Sequence, residues 1–482
     1  MAGPGTENRE SLYHLGMQPA DSITIHADSQ ADLSVPARFG RALKRNQKAV
    51  TIIQWTVVAL YLPLLITPLF LAAPGPEATP FSNLSLFCRF LFWGIGWPLI
   101  ILSMMLFGRA WCGIFCPDGT VTEFISLHGR KRSIPRWIRW RGWPFTMLAA
   151  TTLYGQLVGV YDFAPATLLL LGLPSLGALG TGFLYGNGKR IWCMYLCPAN
   201  ATFSMLSKIA PFHFRVNLQK WKRYPGIPPR VNCAPLINIK QMKSTSACHA
   251  CGRCGGYMDA VDLSLRTPES EIVGSKNKDT TTAEALTLIF GVIGICTVAM
   301  QWAGSPLFSS FRTALADWLS GIGVIDVLRE TTTPWWILAN YPDADVVRSL
   351  FDGISILSFI AGGGSLLALA VLTCVWLASR IAGEEEDVSW QKLSLGLIPS
   401  AGCATFIGLA TLSVMQLRSA GLELHWAPWL QMTLLWAGSL FSMWLGIRML
   451  VHRLSARHIL SFAFYILPVL LLHGLWSTRI LF

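Results

Sequence analysis

Arg109-Ala-Trp-Cys112-Gly-Ile-Phe-Cys116-Pro117 and Arg190-Ile-Trp-Cys193-Met-Tyr-Leu-Cys197-Pro198 are two copies of one phrase, set roughly 80 residues apart as an internal repeat. Each copy puts two thiols about one helical turn apart on one face, then follows the second with a proline that cannot continue the backbone hydrogen bonding. The phrase presents two sulfur ligands and stops. Downstream, Cys248-His-Ala-Cys251-Gly-Arg-Cys254 supplies three more thiols at ferredoxin spacing, with Cys233 a short way upstream. Two plus two plus four thiols is the ligand count of two 4Fe-4S cubanes.

Composition says where these thiols sit. The chain has 482 residues, 52% hydrophobic and only 13% charged, with 20 Trp, and its mean hydropathy is +0.47. Those values exclude an ordinary soluble globular chain and imply a polytopic membrane protein. Residues 1–48 are polar, without an apolar run for a signal peptidase, and are expected to form a disordered cytoplasmic tail.

Runs of about 20 apolar residues mark nine expected spans: 50–73, 84–107, 143–160, 165–186, 283–303, 352–381, 393–416, 428–448 and 458–477. The third and fourth are broken by Gly and Pro. Basic residues precede span one (Arg38 to Lys48), separate spans two and three (Arg130 to Arg141) and separate spans four and five (Lys208 to Lys243). All three stretches fall on one side, which the positive-inside rule makes the cytoplasm. The net charge of +12 is then topology and contact with membrane lipid, and nucleic acid is not an expected partner. Both cysteine groups fall on the reducing cytoplasmic side, where thiols serve as ligands rather than disulfides.

The expected organisation is all-α and integral to a bacterial inner membrane, with about nine transmembrane helices and a small cytoplasmic ferredoxin-like 4Fe-4S module. Its parts are the tail 1–48, a duplicated transmembrane hairpin with CxxxCP turns at 49–210, the module at 211–280, and a C-terminal bundle of about five helices at 281–482. The cluster ligands are expected to be Cys112, Cys116, Cys193, Cys197, Cys233, Cys248, Cys251 and Cys254, the first four on one cubane and the last four on the other. Zinc also takes four thiolates, but a third closely spaced Cys in one run is typical of cubane sites. Cys88, Cys296, Cys374 and Cys403 lie in apolar spans and read as packing residues. Arg109 and Arg190 are placed to offset thiolate charge, and Trp111 and Trp192 read as interfacial anchors. His249 reads as solvent-facing or hydrogen-bonded to sulfur.

The paired CxxxCP turns followed by a CxxCxxC module resemble the membrane ferredoxin-type proteins: the NapH-type quinol dehydrogenase membrane component, the ferredoxin-type protein of methylamine utilisation and the electron-transfer half of NosR-type regulators. The resemblance covers roughly residues 50–265 and implies cluster ligation by Cys112, Cys116, Cys193, Cys197, Cys248, Cys251 and Cys254. The chain departs from those relatives after Cys254, where Gly255-Gly256-Tyr257 replaces a fourth Cys and Pro. Cys233 has to stand in, which leaves a single cluster in the module. The resemblance implies electron transfer at the membrane with quinone or quinol and a further redox partner protein.

Residues 266–482 lie beyond the resemblance. The acidic run Glu384 to Asp387 reads as a solvated turn. His458 and His473 are about 22 Å apart along a helix, which suits two b-haems. Their partners would be His425 and His452, about 40 Å apart, more than the hydrocarbon core allows, so haem is not expected. No GxGxxG or P-loop phrase is present, and the chain reads as an electron carrier or complex subunit rather than a stand-alone enzyme. Two other functions fit the same residues: an assembly factor supplying electrons to a respiratory metalloenzyme, and a redox-switched transporter or sensor.

Overall fold

The computed structural model describes residues 34–482 except 73, 76, 243, 278–279, 332, 384–387, 452–454 and 482. Most of the tail, the acidic run Glu384 to Asp387, and His452 therefore lie outside the described residues.

The chain is mainly helical. Among the described residues eight helices are long and apolar enough to cross a membrane: Gln47–Phe70, Leu84–Phe107, Ala164–Tyr185, Thr282–Gln301, Leu350–Ala382, Trp390–Ser419, Ala427–Leu450 and Ala456–Leu481. The remaining expected span, 143–160, forms the 16-residue helix Trp143–Val158, ended by the left-handed Gly159. At 1.5 Å per residue it measures about 24 Å, short of a hydrocarbon core of about 30 Å. It nevertheless joins the same two faces as its neighbours. At its start Trp143 and Met147 pack with Ile138 and Cys193. At its end Leu157 O accepts from Ala339 N at 2.9 Å, and Gln156 O accepts from Arg348 at 2.6 Å. On that same far face Arg89 pairs with Asp162 at 3.1 Å.

The helices of the second half pack through small residues. A Cβ on Gly294 would stand 2.5 Å from Gly364 O, so the helices carrying them approach backbone to backbone, as small-residue interfaces in membranes do. Ser461 donates to Ala378 O at 2.7 Å, which sets the start of the last helix beside the end of Leu350–Ala382, on the cysteine-bearing face. Trp476, buried against Gly408, belongs to its far end.

The cysteine-rich module is framed by two antiparallel strands, β1 (Phe212–Val216) and β2 (Val261–Leu265), in the register Phe212↔Leu265 to Val216↔Val261. Every module cysteine lies in the loop between them. Here the structure departs from the expected tail: Val35–Arg45 is a helix packed on β2. Gly40 permits the approach, since a Cβ there would meet Leu263 Cβ at 2.8 Å. Arg41 Nε then reaches Asp262 at 2.9 Å. The stretch is polar in composition, but it alternates small buried residues (Ala37, Gly40) with charged exposed ones, and the module supplies the surface that composition could not reveal.

Candidate iron-sulfur centre

Both copies of the repeated phrase fold alike. Gly108, with φ +63°, breaks the span Leu84–Phe107, and Gly188, with φ +65°, precedes the second copy; both conformations are ones that residues with a Cβ rarely adopt. In each copy a short helical turn carries the first thiol. The N–H of the second cysteine then reaches back to the carbonyl of the phrase's own tryptophan, Cys116 to Trp111 at 2.9 Å and Cys197 to Trp192 at 3.0 Å. Cys116 caps the helix Pro117–Leu127, its Sγ accepting from Gly119 N at 3.4 Å. A thiolate there is favoured by the positive end of the helix dipole. Trp192 is buried against Gly177 and the second thiol turn. This corrects its reading as an interfacial anchor: the proline turn folds the indole inward.

Cys112, Cys116, Cys193 and Cys197 lie within electrostatic reach of one another. Cys233, Cys248, Cys251 and Cys254 form a second such set. The structure thus brings the eight thiols together in two foursomes. Among the described residues no three His, Cys, Asp or Glu side chains converge as they would on a single metal ion. Cys88, Cys296, Cys374 and Cys403 join neither foursome and remain in the helical spans.

The foursomes are neighbours. A Cβ on Gly113, between Cys112 and Cys116, would stand 2.0 Å from His249 O and 2.9 Å from Cys251 N. Only glycine lets the first thiol turn touch the module loop. On the other side Gln54, buried in the first span, donates to Gly113 O at 2.8 Å.

Two buried arginines, the first residue of each phrase, stand at this junction. Arg109 is 2% exposed and Arg190 1%. Arg109 donates to Ser246 O at 2.7 Å and lies within reach of both Cys197 and Cys248. Arg190 donates to Cys112 O and lies within reach of Cys193 and Cys251. Each therefore puts a positive charge between the two sets of sulfur. Glu123 neutralises part of it, with Oε2 2.8 Å from Arg190 Nε and Oε1 2.5 Å from Arg253. Burial alone would raise the Glu123 carboxyl, but the two guanidinium charges outweigh it and hold the group below its ordinary value.

Burial pushes the free thiols up, Cys197 and Cys248 to about 12 and Cys116, Cys193 and Cys254 well above their ordinary value. Without a bound cation these groups are neutral thiols, so ligation requires proton release. The pocket fits a thiolate-ligated iron-sulfur group in a further respect. Both ring nitrogens of His249, and Nε of Arg109, are buried without a hydrogen-bond partner among the described residues. Arg109 Nε–H and the single N–H of a neutral imidazole suit sulfur acceptors. With His249 only 1% exposed, solvent contact falls away as its role. Burial and the nearby Arg109 and Arg190 charges hold the imidazole neutral, well below its usual range.

Sequence patterns did not single out Glu123, Arg253 or Gly113. Glu123 lies in a mildly apolar stretch that reads as a capping interfacial helix, and its partners are distant in the chain. Two described histidines of the second half have contacts within the protein: His425 is exposed beside Glu423, and His473 Nδ1 lies 3.0 Å from Ser439 Oγ.

Comparison with known proteins meets this geometry directly. A family model described as a 4Fe-4S binding domain matches residues 90–135 and 168–217, one match around each repeated phrase. Those two stretches are therefore similar to a 4Fe-4S binding domain. It is also similar to the "Putative electron transport protein YccM" of Escherichia coli (strain K12), with 26% identity over 231 residues, which is 42% of this chain and 64% of the relative. The chain thus spans a little under two thirds of that relative's length. No solved structure matches. Together the domain matches and the eight span-length helices among the described residues support a membrane protein with a 4Fe-4S binding region.

Proposed function

We propose that the chain relays electrons between quinol, or a cytoplasmic donor, and a partner redox protein through two 4Fe-4S clusters. Cys112, Cys116, Cys193 and Cys197 hold one cluster; Cys233, Cys248, Cys251 and Cys254 hold the other. The observation that carries this proposal is the contact of Gly113 with His249 O and Cys251 N, which makes the two thiol sets adjacent. Each cluster supplies storage of one electron at a potential tuned by its surroundings. The protein's own groups do the rest. Arg109 and Arg190 offset thiolate charge, His249 and Arg109 offer donors to sulfur, and the packed spans exclude water from the first set.

The positive-inside rule puts the cysteine-bearing face in the cytoplasm of a bacterial inner membrane, with nine passes and the C-terminus outside. All eight candidate thiols lie toward that one face, so the chain acts as a subunit or carrier whose path a partner continues.

Anaerobic purification followed by a redox-poised EPR titration tests the assignment. About eight irons per chain and two titrating signals are expected; one zinc and no labile sulfide would sink it.

A further inference from the structure

From Asp162 to Asp259 the chain contains no Asp or Glu between those two residues. Within that stretch Lys220, Lys222, Arg223, Arg230 and Lys240 are exposed. None of the five forms an ion pair among the described residues, and the nearby Asp259 and Asp262 are both engaged by Arg41. Lys189 and Lys240 line an open cavity of about 400 Å³ together with Cys233, Asn238, Trp221 and Tyr257, and Lys220, Lys222 and Arg230 are the chain neighbours of its lining residues Trp221 and Val231. Lys189 Nζ donates to Cys233 O at 2.9 Å, and Trp221 and Tyr257 form an aromatic wall with ring centroids 5.3 Å apart. Of the eight candidate ligands, Cys233 alone lines this cavity, whereas Cys112 and Cys193 are buried.

Building on the proposed electron-relay function, we infer that the cavity at Cys233 is the port where the second foursome exchanges electrons with a soluble redox protein presenting a carboxylate-rich face. Electron transfer falls off steeply with distance, so the candidate ligand that lines an open cavity is where a partner docks. Unpaired cations around it attract and orient an acidic surface. A lipid surface would gain nothing from a redox ligand at the centre of the patch. Each encounter moves one electron: the partner is oxidised by one as the cluster is reduced by one, with no bond made and no proton transferred.

The test uses the full chain with reconstituted clusters in neutral detergent, and the double variant Lys222→Glu/Lys240→Glu with matched iron and sulfide content. Two probes report: a plant-type acidic ferredoxin for binding, and ferricyanide and hexaammineruthenium(III) as anionic and cationic oxidants of the reduced clusters. The port predicts that charge reversal weakens ferredoxin binding about tenfold or more at low salt, slows ferricyanide severalfold and speeds the cation, with all three effects shrinking as salt is added. Clusters present but binding and both rates unchanged in the variant overturn the port while leaving the electron-relay function standing. Loss of binding to phosphatidylglycerol vesicles with unchanged oxidant rates would assign the patch to lipid and also overturn it. Absence of labile sulfide in the parent chain would remove the relay and the port together.

Discussion

Glu123 Oε2 sits 2.8 Å from Arg190 Nε, joining the helix after the first thiol turn to the first residue of the second phrase, while its other oxygen holds Arg253 of the module loop. One carboxylate thus ties together the three segments that carry the eight candidate ligands. Glu123→Gln leaves Arg190 buried with its main counter-charge gone, a change that costs about 3–5 kcal/mol in buried pairs. The expected result is a lower melting temperature and reduced iron loading, with Glu123→Asp partly restoring both.

Acid should weaken the same junction. Because the folded-state pKa of Glu123 is depressed, its stabilising contribution is present above the unfolded carboxyl value of about 4.3 and is lost as pH falls through the folded one. Melting temperature followed downward from pH 6 should fall more steeply below that value in the parent chain than in Glu123→Gln. Parallel curves would show that the carboxylate contributes nothing.

Gly113→Ala is predicted to separate the foursomes. The added methyl would stand 2.0 Å from His249 O, and backbone cannot yield as a side-chain end can. Spin-spin broadening between the two reduced clusters should diminish in the variant while iron content stays above half. Unchanged broadening would mean that the clusters are not neighbours.

Cys193→Ser should remove one EPR signal and Cys233→Ser the other. Loss of the same signal in both variants would show that ligands are exchanged between the two sets, as happens in two-cluster ferredoxin modules.

Reporter fusions address sidedness. A fusion after Arg266 should be active as a cytoplasmic reporter, and one after Leu481 as a periplasmic reporter. Periplasmic activity at 266 would reverse the orientation.

What the chain discloses before folding is local. Apolar run length marks the spans Gln47–Phe70 and Leu84–Phe107, and the repeated phrase marks the thiol pairs with the glycines and prolines that stop each turn. Trp143–Val158 is the weak case, because Pro and Gly at its margins shorten the helix while its apolar content still reads as a span. What stayed hidden depends on partners far along the chain. Gly113 reads as an ordinary residue inside CxxxC until the module loop is laid against it, Glu123 as a surface acid until Arg190 and Arg253 arrive, and Val35–Arg45 as part of a polar tail until β2 offers Leu263. Trp192 misled for the same reason: an indole near a membrane face resembles an anchor unless its burial is known.

The spacing of the thiols also has a meaning in time. Cys112 and Cys116 leave the ribosome well before Cys254, and at about 5–20 residues per second the interval is roughly 7–28 s. Early in it the first pair has no companions and Glu123 has no cation, since Arg190, Cys193 and Cys197 come later, and until its end the Gly113 contact lacks its opposite wall at His249 and Cys251. A cluster delivered during that interval would find half a site open to water and to competing metals, so iron-sulfur delivery belongs after synthesis has passed the module, once the late-made loop can close over the early-made turn.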